Sequence, residues 1–191
     1  RRRHADRQPH PAHGYSRVNS LPRLYAISHY SLGRSVLSPK ALPKLAKAQG
    51  VAGLCDVDAL AGAFEFSLAA RSAGVKAVLG QRLTLGELEL CCHAINAEGW
   101  TALCRIADLA ARKQARLDSV TPLLRSGLFT ALSSECAAVR RWAADGDAEV
   151  GALIEALPAH SRGVALARSE GGREGRAEAQ AAVAHRQPLL A

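Results

Sequence analysis

The stretch VAGLCDVDALAGAFEFSLAARSAGVKAVLGQRLTL, residues 51–85, decides the fold. A short apolar run at its start is followed by Leu60, Phe64 and Leu68 at helical spacing, which predicts a helix with these side chains on its buried face. Gly74 is a typical helix stop, and a second apolar run follows it. Two short strands joined by a helix predict a parallel pair with a right-handed crossover.

The rest of the chain alternates between strand and helix patterns in the same way. This order predicts an α/β fold with a largely parallel sheet, open or closed into a barrel. Residues 1–22 are basic and lack periodicity, which predicts a disordered tail. Besides the two strands and the helix described above, the pattern predicts strands over residues 24–27, 83–85, 88–95, 127–132, 163–166 and 188–191, and helices over residues 38–49, 98–113, 135–144, 147–157 and 176–185.

The chain of 191 residues is basic, with a formal net charge of +8 and an isoelectric point near 9.7. Such a charge favours a nucleic-acid partner and a merely solvated basic surface about equally. No apolar run reaches membrane-spanning length, and the Arg-rich N-terminus lacks the apolar region of a signal peptide. The sequence contains no Met and ends within a predicted strand, so we expect a fragment of a longer protein.

Five cysteines are present, and their odd number without a CxxC pair favours free thiols over disulfides or a zinc site. Cys55, Cys91 and Cys104 fall on apolar faces of predicted elements, where we expect them to be buried. Free buried thiols are typical of a cytoplasmic protein.

The ends of the two central strands are the first place to look for chemistry, because sites of parallel α/β folds lie there. Asp56 and Asp58 could bind a metal or act as bases, although capping of the following helix is the favoured role of Asp58. His29 is predicted to lie in a loop, and His93 to point outward from a strand. Neither a phosphate-binding loop nor a nucleophile elbow is present, so no catalytic residue is predicted.

Several short motifs, in order, resemble the polymerase-and-histidinol-phosphatase (PHP) domain, and in particular the PHP domain of the bacterial DNA polymerase III alpha subunit, a C-family polymerase. Together they extend over residues 23–191. The motifs are Ser31-Leu32-x-Arg34, Ser38-Pro39-x-x-Leu42, Gly50-x-x-x-Leu54-x-Asp56, Leu60-Ala61-Gly62-Ala63-x-Glu65-Phe66, Ala73-Gly74-Val75-Lys76-x-x-x-Gly80, Asn96-x-Glu98-Gly99-Trp100, Ser126-Gly127-Leu128-Phe129 and Gln187-Pro188-Leu189-Leu190-Ala191.

The resemblance implies a PHP-type distorted (β/α) barrel over residues 23–191, incomplete at the C-terminus. It also implies a role in DNA replication or in damage-tolerant synthesis and DNA repair. Two details of these motifs resemble the error-prone alpha paralogue more than the replicative subunit. The family is one of DNA-directed DNA polymerases, which are nucleotidyltransferases, but the chain lacks the palm that carries their catalytic aspartates.

Active PHP domains bind zinc, manganese or magnesium through His and acidic residues at strand ends. In this chain the corresponding positions are Tyr25, Ile27, Val57 and Arg82, and only Asp56 is retained. The resemblance therefore implies a degenerate metal site with no bound cofactor, and loss of phosphoesterase or 3′–5′ exonuclease activity. Arg82 is expected to form an ion pair with Asp56 in place of the metal.

The leading interpretation is a structural domain whose partners are the remainder of the polymerase alpha subunit, replisome subunits and DNA. One alternative is a stand-alone metal-dependent PHP phosphoesterase. Another is a small nucleic-acid-binding module, for which the candidate residues are Arg105, Arg112, Lys113, Arg116 and Arg125.

Overall fold

The computed structural model of the protein describes residues 24–125, 127–133, 136–138, 141, 146, 148–156, 164–165 and 189–190. The predicted tail over residues 1–22 and the predicted helix over residues 176–185 lie outside these residues. So does most of the predicted helix over residues 135–144.

The described part of the chain forms a mixed sheet with helices packed on it. The strands are β1 (Val51–Val57), β2 (Lys76–Leu85), β3 (Leu88–Ala94), β4 (Leu128–Ser133), β5 (Val164–Ala165) and β6 (Leu189–Leu190). The α-helices are α1 (Leu42–Leu45), α2 (Ala63–Ala73), α3 (Ala97–Ala111), α4 (Leu117–Val120) and α5 (Ala148–Ala156), and 3-10 turns span Lys47–Gln49 and Leu123–Arg125.

The strands lie in chain order across the sheet, from β1 to β6. β1 and β2 are parallel, as the central stretch predicts, whereas β2–β3 and β3–β4 are antiparallel. The two-residue strands β5 and β6 extend the far edge in parallel. The α/β class is thus confirmed, with four main strands in an open sheet.

The prediction of a distorted (β/α) barrel is wrong. A barrel of that type requires successive parallel crossovers, but two of the three pairings among the main strands are antiparallel. Within the described residues, β1 and β6 form opposite edges and do not pair with each other. The sheet therefore stays open.

Two elements differ from their predicted extents. β2 is one continuous strand that includes both the second apolar run and the first arm of the hairpin, so Gln81 and Arg82 lie inside a strand and not at its end. Residues 24–27 form no strand; one backbone hydrogen bond, from the Cys55 amide to the Ala26 carbonyl at 2.8 Å, joins them to β1.

α2 buries a different face from the one that its apolar spacing predicts. Ala63, Phe66 and Ala70 are buried, whereas Phe64 is 74% and Leu68 53% exposed. The helix carries apolar residues around most of its circumference, so periodicity alone does not select the packed side. Phe66 instead packs with the apolar side chains of β1 and α1.

The main core lies between the sheet and α3. Asn96 caps this helix, because its Oδ1 atom accepts a hydrogen bond from the Gly99 amide at 2.9 Å. Gly99 contacts the Gly127 backbone so closely that a Cβ would lie 1.9 Å from the Gly127 carbonyl oxygen. This contact places the start of α3 directly against the start of β4.

Candidate functional site

The register of β1 and β2 divides the strand-end residues between the two faces of the sheet. Asp56 pairs with Gln81, and Val57 pairs with Arg82. Because successive side chains of a strand point to opposite faces, Val57 and Arg82 share one face, and Asp56 and Gln81 share the other. We call the side that packs on α2 and α3 the helix face, and the opposite side the polar face.

Three of the positions that the resemblance assigns to metal ligands lie on the polar face. Tyr25 reaches it from the extended N-terminal segment, where its ring packs edge-on against His93 with centroids 5.0 Å apart. Val57 and Arg82 belong to the same face by register. Asp56, the retained acid, belongs to the helix face and is thus directed away from the others.

Asp56 is buried in a network of hydroxyl and amide donors. Its carboxylate accepts hydrogen bonds from the Ser28 amide at 2.6 Å, the Ser28 hydroxyl at 2.8 Å and the Ser31 hydroxyl at 2.8 Å. The Ser31 hydroxyl oxygen in turn accepts from the Val57 amide at 3.0 Å. Gly62 closes the other side, since a Cβ there would lie 2.7 Å from Oδ2.

This Ser–Asp network joins the loop after the N-terminal segment to the end of β1. Sequence reasoning missed the roles of Ser28 and Ser31, and the only available signal was a polar loop next to a strand end. With both carboxylate oxygens accepting hydrogen bonds and the side chain enclosed, Asp56 stabilises the loop.

Arg82 pairs with Glu89 and not with Asp56. Its Nη1 atom lies 3.3 Å from Glu89 Oε1, and Arg34 Nη1 lies 3.1 Å from Oε2 of the same carboxylate. Arg82 and Glu89 are both buried, whereas the Arg34 side chain is half exposed. The predicted Arg82–Asp56 ion pair is therefore wrong, because the two side chains leave the sheet on opposite faces.

Arg34 and Glu89 also line a cavity of about 370 Å³, together with Glu87 and Cys136. Both signs of charge meet there, and Arg141 pairs with Glu87 at 2.5 Å. Both carboxylates of the cavity thus have arginine partners, Arg34 and Arg82 for Glu89 and Arg141 for Glu87.

The polar face also contains His93 and two thiols. His93 Nε2 donates a hydrogen bond to the Leu24 carbonyl at 2.9 Å, and burial lowers the pKa of the imidazole to about 4. Burial, reinforced by the neighbouring Cys91, raises the pKa of Cys55. At neutral pH the imidazole is therefore uncharged and the Cys55 thiol stays protonated, which makes it a poor nucleophile. The prediction that His93 points outward is wrong.

The sequence also singled out Asp58, His29 and Cys104, and none of them takes part in the networks described above. Asp58 does not cap α2, because Gly62 occupies the N-cap and Asp58 Oδ1 accepts from the Thr84 amide at 2.8 Å. His29 is exposed. Cys104 is exposed too, against expectation, while the other four cysteines are buried and free.

Among the described residues, no group of three or more His, Cys, Asp or Glu side chains is arranged to hold a metal ion. Of those that share the polar face, His93 is bonded to the Leu24 carbonyl, Glu89 has arginine partners, and burial raises the pKa of the Cys55 thiol.

The five predicted nucleic-acid-binding residues are exposed on α3 and on the segment that follows it. Arg112 is paired with Asp108 at 2.9 Å. Arg116 and Arg125 come from opposite ends of the segment and line one cavity of about 670 Å³, which Asp118 lines as well. No carboxylate of the described residues forms an ion pair with Arg105, Lys113, Arg116 or Arg125.

No protein-family model matches the chain, and no curated protein is significantly similar to it in sequence. Within the residues described by the structure, none of the helices combines the length and apolar character needed to cross a membrane.

Proposed function

We propose that this chain is a metal-free structural domain of a protein related to the DNA polymerase III alpha subunit. In this role it acts in DNA replication or damage-tolerant synthesis in the cytoplasm and supports the rest of the alpha subunit. Its surfaces contact that polypeptide, other replisome subunits and DNA.

The main support for the proposal is that Asp56, near the end of β1, and Arg82, within β2, are both engaged by other side chains of the chain. Asp56 is enclosed by Ser28 and Ser31, and Arg82 is neutralised by Glu89. The three hydrogen bonds to Asp56 and the Arg82–Glu89 ion pair engage these groups with one another and fix the backbone around them. Such networks suit a domain retained for its shape.

The open sheet of this chain differs from the barrel of the PHP family. The ordered motifs and the environments of Asp56 and Arg82 support the proposal, which does not require a closed barrel. A crossover β1–α2–β2 followed by an antiparallel hairpin is compatible with a support domain, since it needs no complete ring of strands.

Metal binding tests the proposal directly. We expect isothermal titration of the purified chain with Mn²⁺ or Zn²⁺ to show no stoichiometric binding, and a chromogenic phosphoester to be turned over at the buffer rate. Stoichiometric binding with metal-dependent turnover, abolished in Asp56→Asn, would instead support the phosphoesterase alternative. Thermal unfolding with EDTA, unchanged from the untreated protein, provides a readout that is independent of activity.

The basic cavity supports a second candidate function, binding of a nucleic-acid backbone. Arg116 and Arg125 flank one concavity and lack carboxylate partners among the described residues, so their charge is available to phosphates. Lys113 and Arg105 extend the positive potential along α3.

Fluorescence anisotropy with labelled single-stranded DNA tests this function. Each phosphate contact contributes about 0.7 to the slope of log affinity against log salt for single strands, so Arg116→Ala with Arg125→Ala should reduce the slope by about 1.4. Lys44→Ala with Lys47→Ala on the α1 side is the matched control and should leave the slope unchanged. Absence of binding at low salt, or an equal loss in both double variants, would remove the cavity as an interface.

A further inference from the structure

The segment that precedes the helices lies against the polar face of the sheet; we call residues 24–31 the strap. The strap contains neither a helix nor a strand. Its Leu24 carbonyl accepts the hydrogen bond from His93 Nε2 at 2.9 Å, and its Ala26 carbonyl accepts that from the Cys55 amide at 2.8 Å. The first half of the strap is therefore attached to β3 and to β1.

This half of the strap covers two buried thiols. Tyr25 packs against the cluster that contains Cys55 and Cys91, and both thiols are almost completely buried. The strap backbone also lies so close to β1 that a Cβ at Gly53 would overlap the Leu24 carbonyl. A glycine is needed at this crossing because it alone leaves room for the strap.

The second half of the strap is attached through one side chain of β1. The Ser28 amide, the Ser28 hydroxyl and the Ser31 hydroxyl all donate to the Asp56 carboxylate. The Ser31 amide also donates to the Ser28 carbonyl at 2.9 Å, which is a turn within the strap itself. Because both serines depend on one acceptor and are bonded to each other, they are released from β1 together.

The strap adds little to the main core. Among the described residues, the large apolar cluster between the sheet and α3 includes Cys92 and Ile106 but no residue of the strap. Segments with few buried apolar contacts open at a lower free energy than the core does. We therefore propose that the strap detaches from the polar face as one unit, with Asp56 as its latch, while the sheet and the main core stay folded, and that this opening exposes Cys55. The device is independent of the metal-free role and of the basic cavity proposed above.

Thiol labelling of the full chain with N-ethylmaleimide tests the opening. Peptide mass spectrometry follows Cys55 and Cys92, which are both completely buried but lie on opposite faces of the sheet. When closing is faster than labelling, each labelling rate measures the population of the open form. We expect Cys55 to be labelled at least about tenfold faster than Cys92, and its rate to rise less steeply with urea, because detachment of the strap exposes less surface than global unfolding does.

Two substitutions separate the latch from the main core. Asp56→Asn removes an acceptor of the strap and should raise the labelling rate of Cys55 by about tenfold or more, whereas Asp58→Asn is the matched control and should leave it unchanged. Ile106→Val weakens the main core and should raise the labelling rate of Cys92 by about fivefold without changing that of Cys55, because the strap opens without breaking the core.

Gly53→Ala tests the strap with all of its own side chains in place. The added Cβ would overlap the Leu24 carbonyl only while the strap is closed, so the labelling rate of Cys55 should rise. Gly151→Ala is the matched control and should cause no rise, because a Cβ there has nothing within 4 Å.

Equal labelling rates or the same urea slope for Cys55 and Cys92 in the unsubstituted chain would overturn the proposal, since one global event would then expose both thiols. This comparison requires no variant, so it holds even where a substitution prevents folding. An equal rise of both rates in Ile106→Val would also overturn the proposal. So would an unchanged rate of Cys55 in Asp56→Asn or in Gly53→Ala, once circular dichroism has shown that the variant is folded.

Discussion

The two faces of the sheet handle buried polar groups in different ways. On the helix face, leucines fill the core and the buried Asp56 has hydrogen-bond donors on both oxygens. On the polar face, Tyr25 packs against His93 and Arg82 pairs with Glu89, but the Tyr25 hydroxyl and His93 Nδ1 have no hydrogen-bond partner among the described residues. This sheet therefore owes its stability mainly to the helix face.

The exception on the helix face is Gln81. Its side chain is fully buried, and neither amide atom has a hydrogen-bond partner in the described part of the chain. It sits between Asp56 of β1 and Cys92 of β3 in the pairing register. Burial of Gln81 therefore lowers the stability of the fold, whereas the burial of Asp56 is compensated by its hydrogen bonds.

The largest expected effect comes from removing a helix-face anchor. Phe66→Ala should lower the free energy of unfolding by about 4 kcal/mol, because it leaves a cavity in a packed core. The exposed Phe64 on the same helix is a matched control, and Phe64→Ala should change stability by less than about 0.5 kcal/mol. Urea denaturation measures both; equal effects of the two substitutions would contradict the assignment of the buried face.

Removal of the Asp56 carboxylate should lower the stability of the fold nearly as much. Asp56→Ala should lower the free energy of unfolding by about 3 kcal/mol, because the Ser28 amide and two buried hydroxyls lose their acceptor. Asp58→Ala, which removes one partly exposed contact to the Thr84 amide, should cost only about 1 kcal/mol. A smaller loss for Asp56→Ala than for Asp58→Ala in the same denaturation series would refute the Ser–Asp network.

At acid pH, protonation of His93 should lower the free energy of unfolding. Its pKa is lowered to about 4 in the folded protein from 6.5, so the unfolded chain binds the proton more tightly. This contribution to stability is complete above pH 6.5 and is lost as the pH falls towards 4, which amounts to about 2 kcal/mol between pH 7 and pH 5. His93→Gln should remove this part of the pH dependence, whereas substitution of the exposed His29 by Gln should not.

The smallest expected effect is a gain. Gln81→Leu should raise the free energy of unfolding by about 1 kcal/mol, because it replaces an unpartnered buried amide by an apolar side chain of similar size. Differential scanning calorimetry would register the gain as a higher melting temperature. A marked loss of stability would show that the Gln81 amide has a structural role.

Local patterns predicted much of the secondary structure. The parallel pair, the intervening helix, its stop at Gly74 and the later hairpin and helix were all readable, because strand and helix periods and glycine stops are local signals. Only part of the candidate site could be predicted from the sequence. Tyr25, Val57 and Arg82 could be singled out from the sequence, whereas the donors around Asp56 lie more than 20 residues away along the chain.

The sequence by itself determined the α/β class, the crossover β1–α2–β2 and the absence of a recognisable catalytic motif. Only the tertiary structure decided that the sheet is open, that Phe66 and not Phe64 is buried, and that Arg82 pairs with Glu89. Spacing along a chain shows which side chains share a face, but it does not show which face meets a partner. That choice depends on strand register and on packing between distant segments, where small differences in burial and charge pairing are summed over the whole fold.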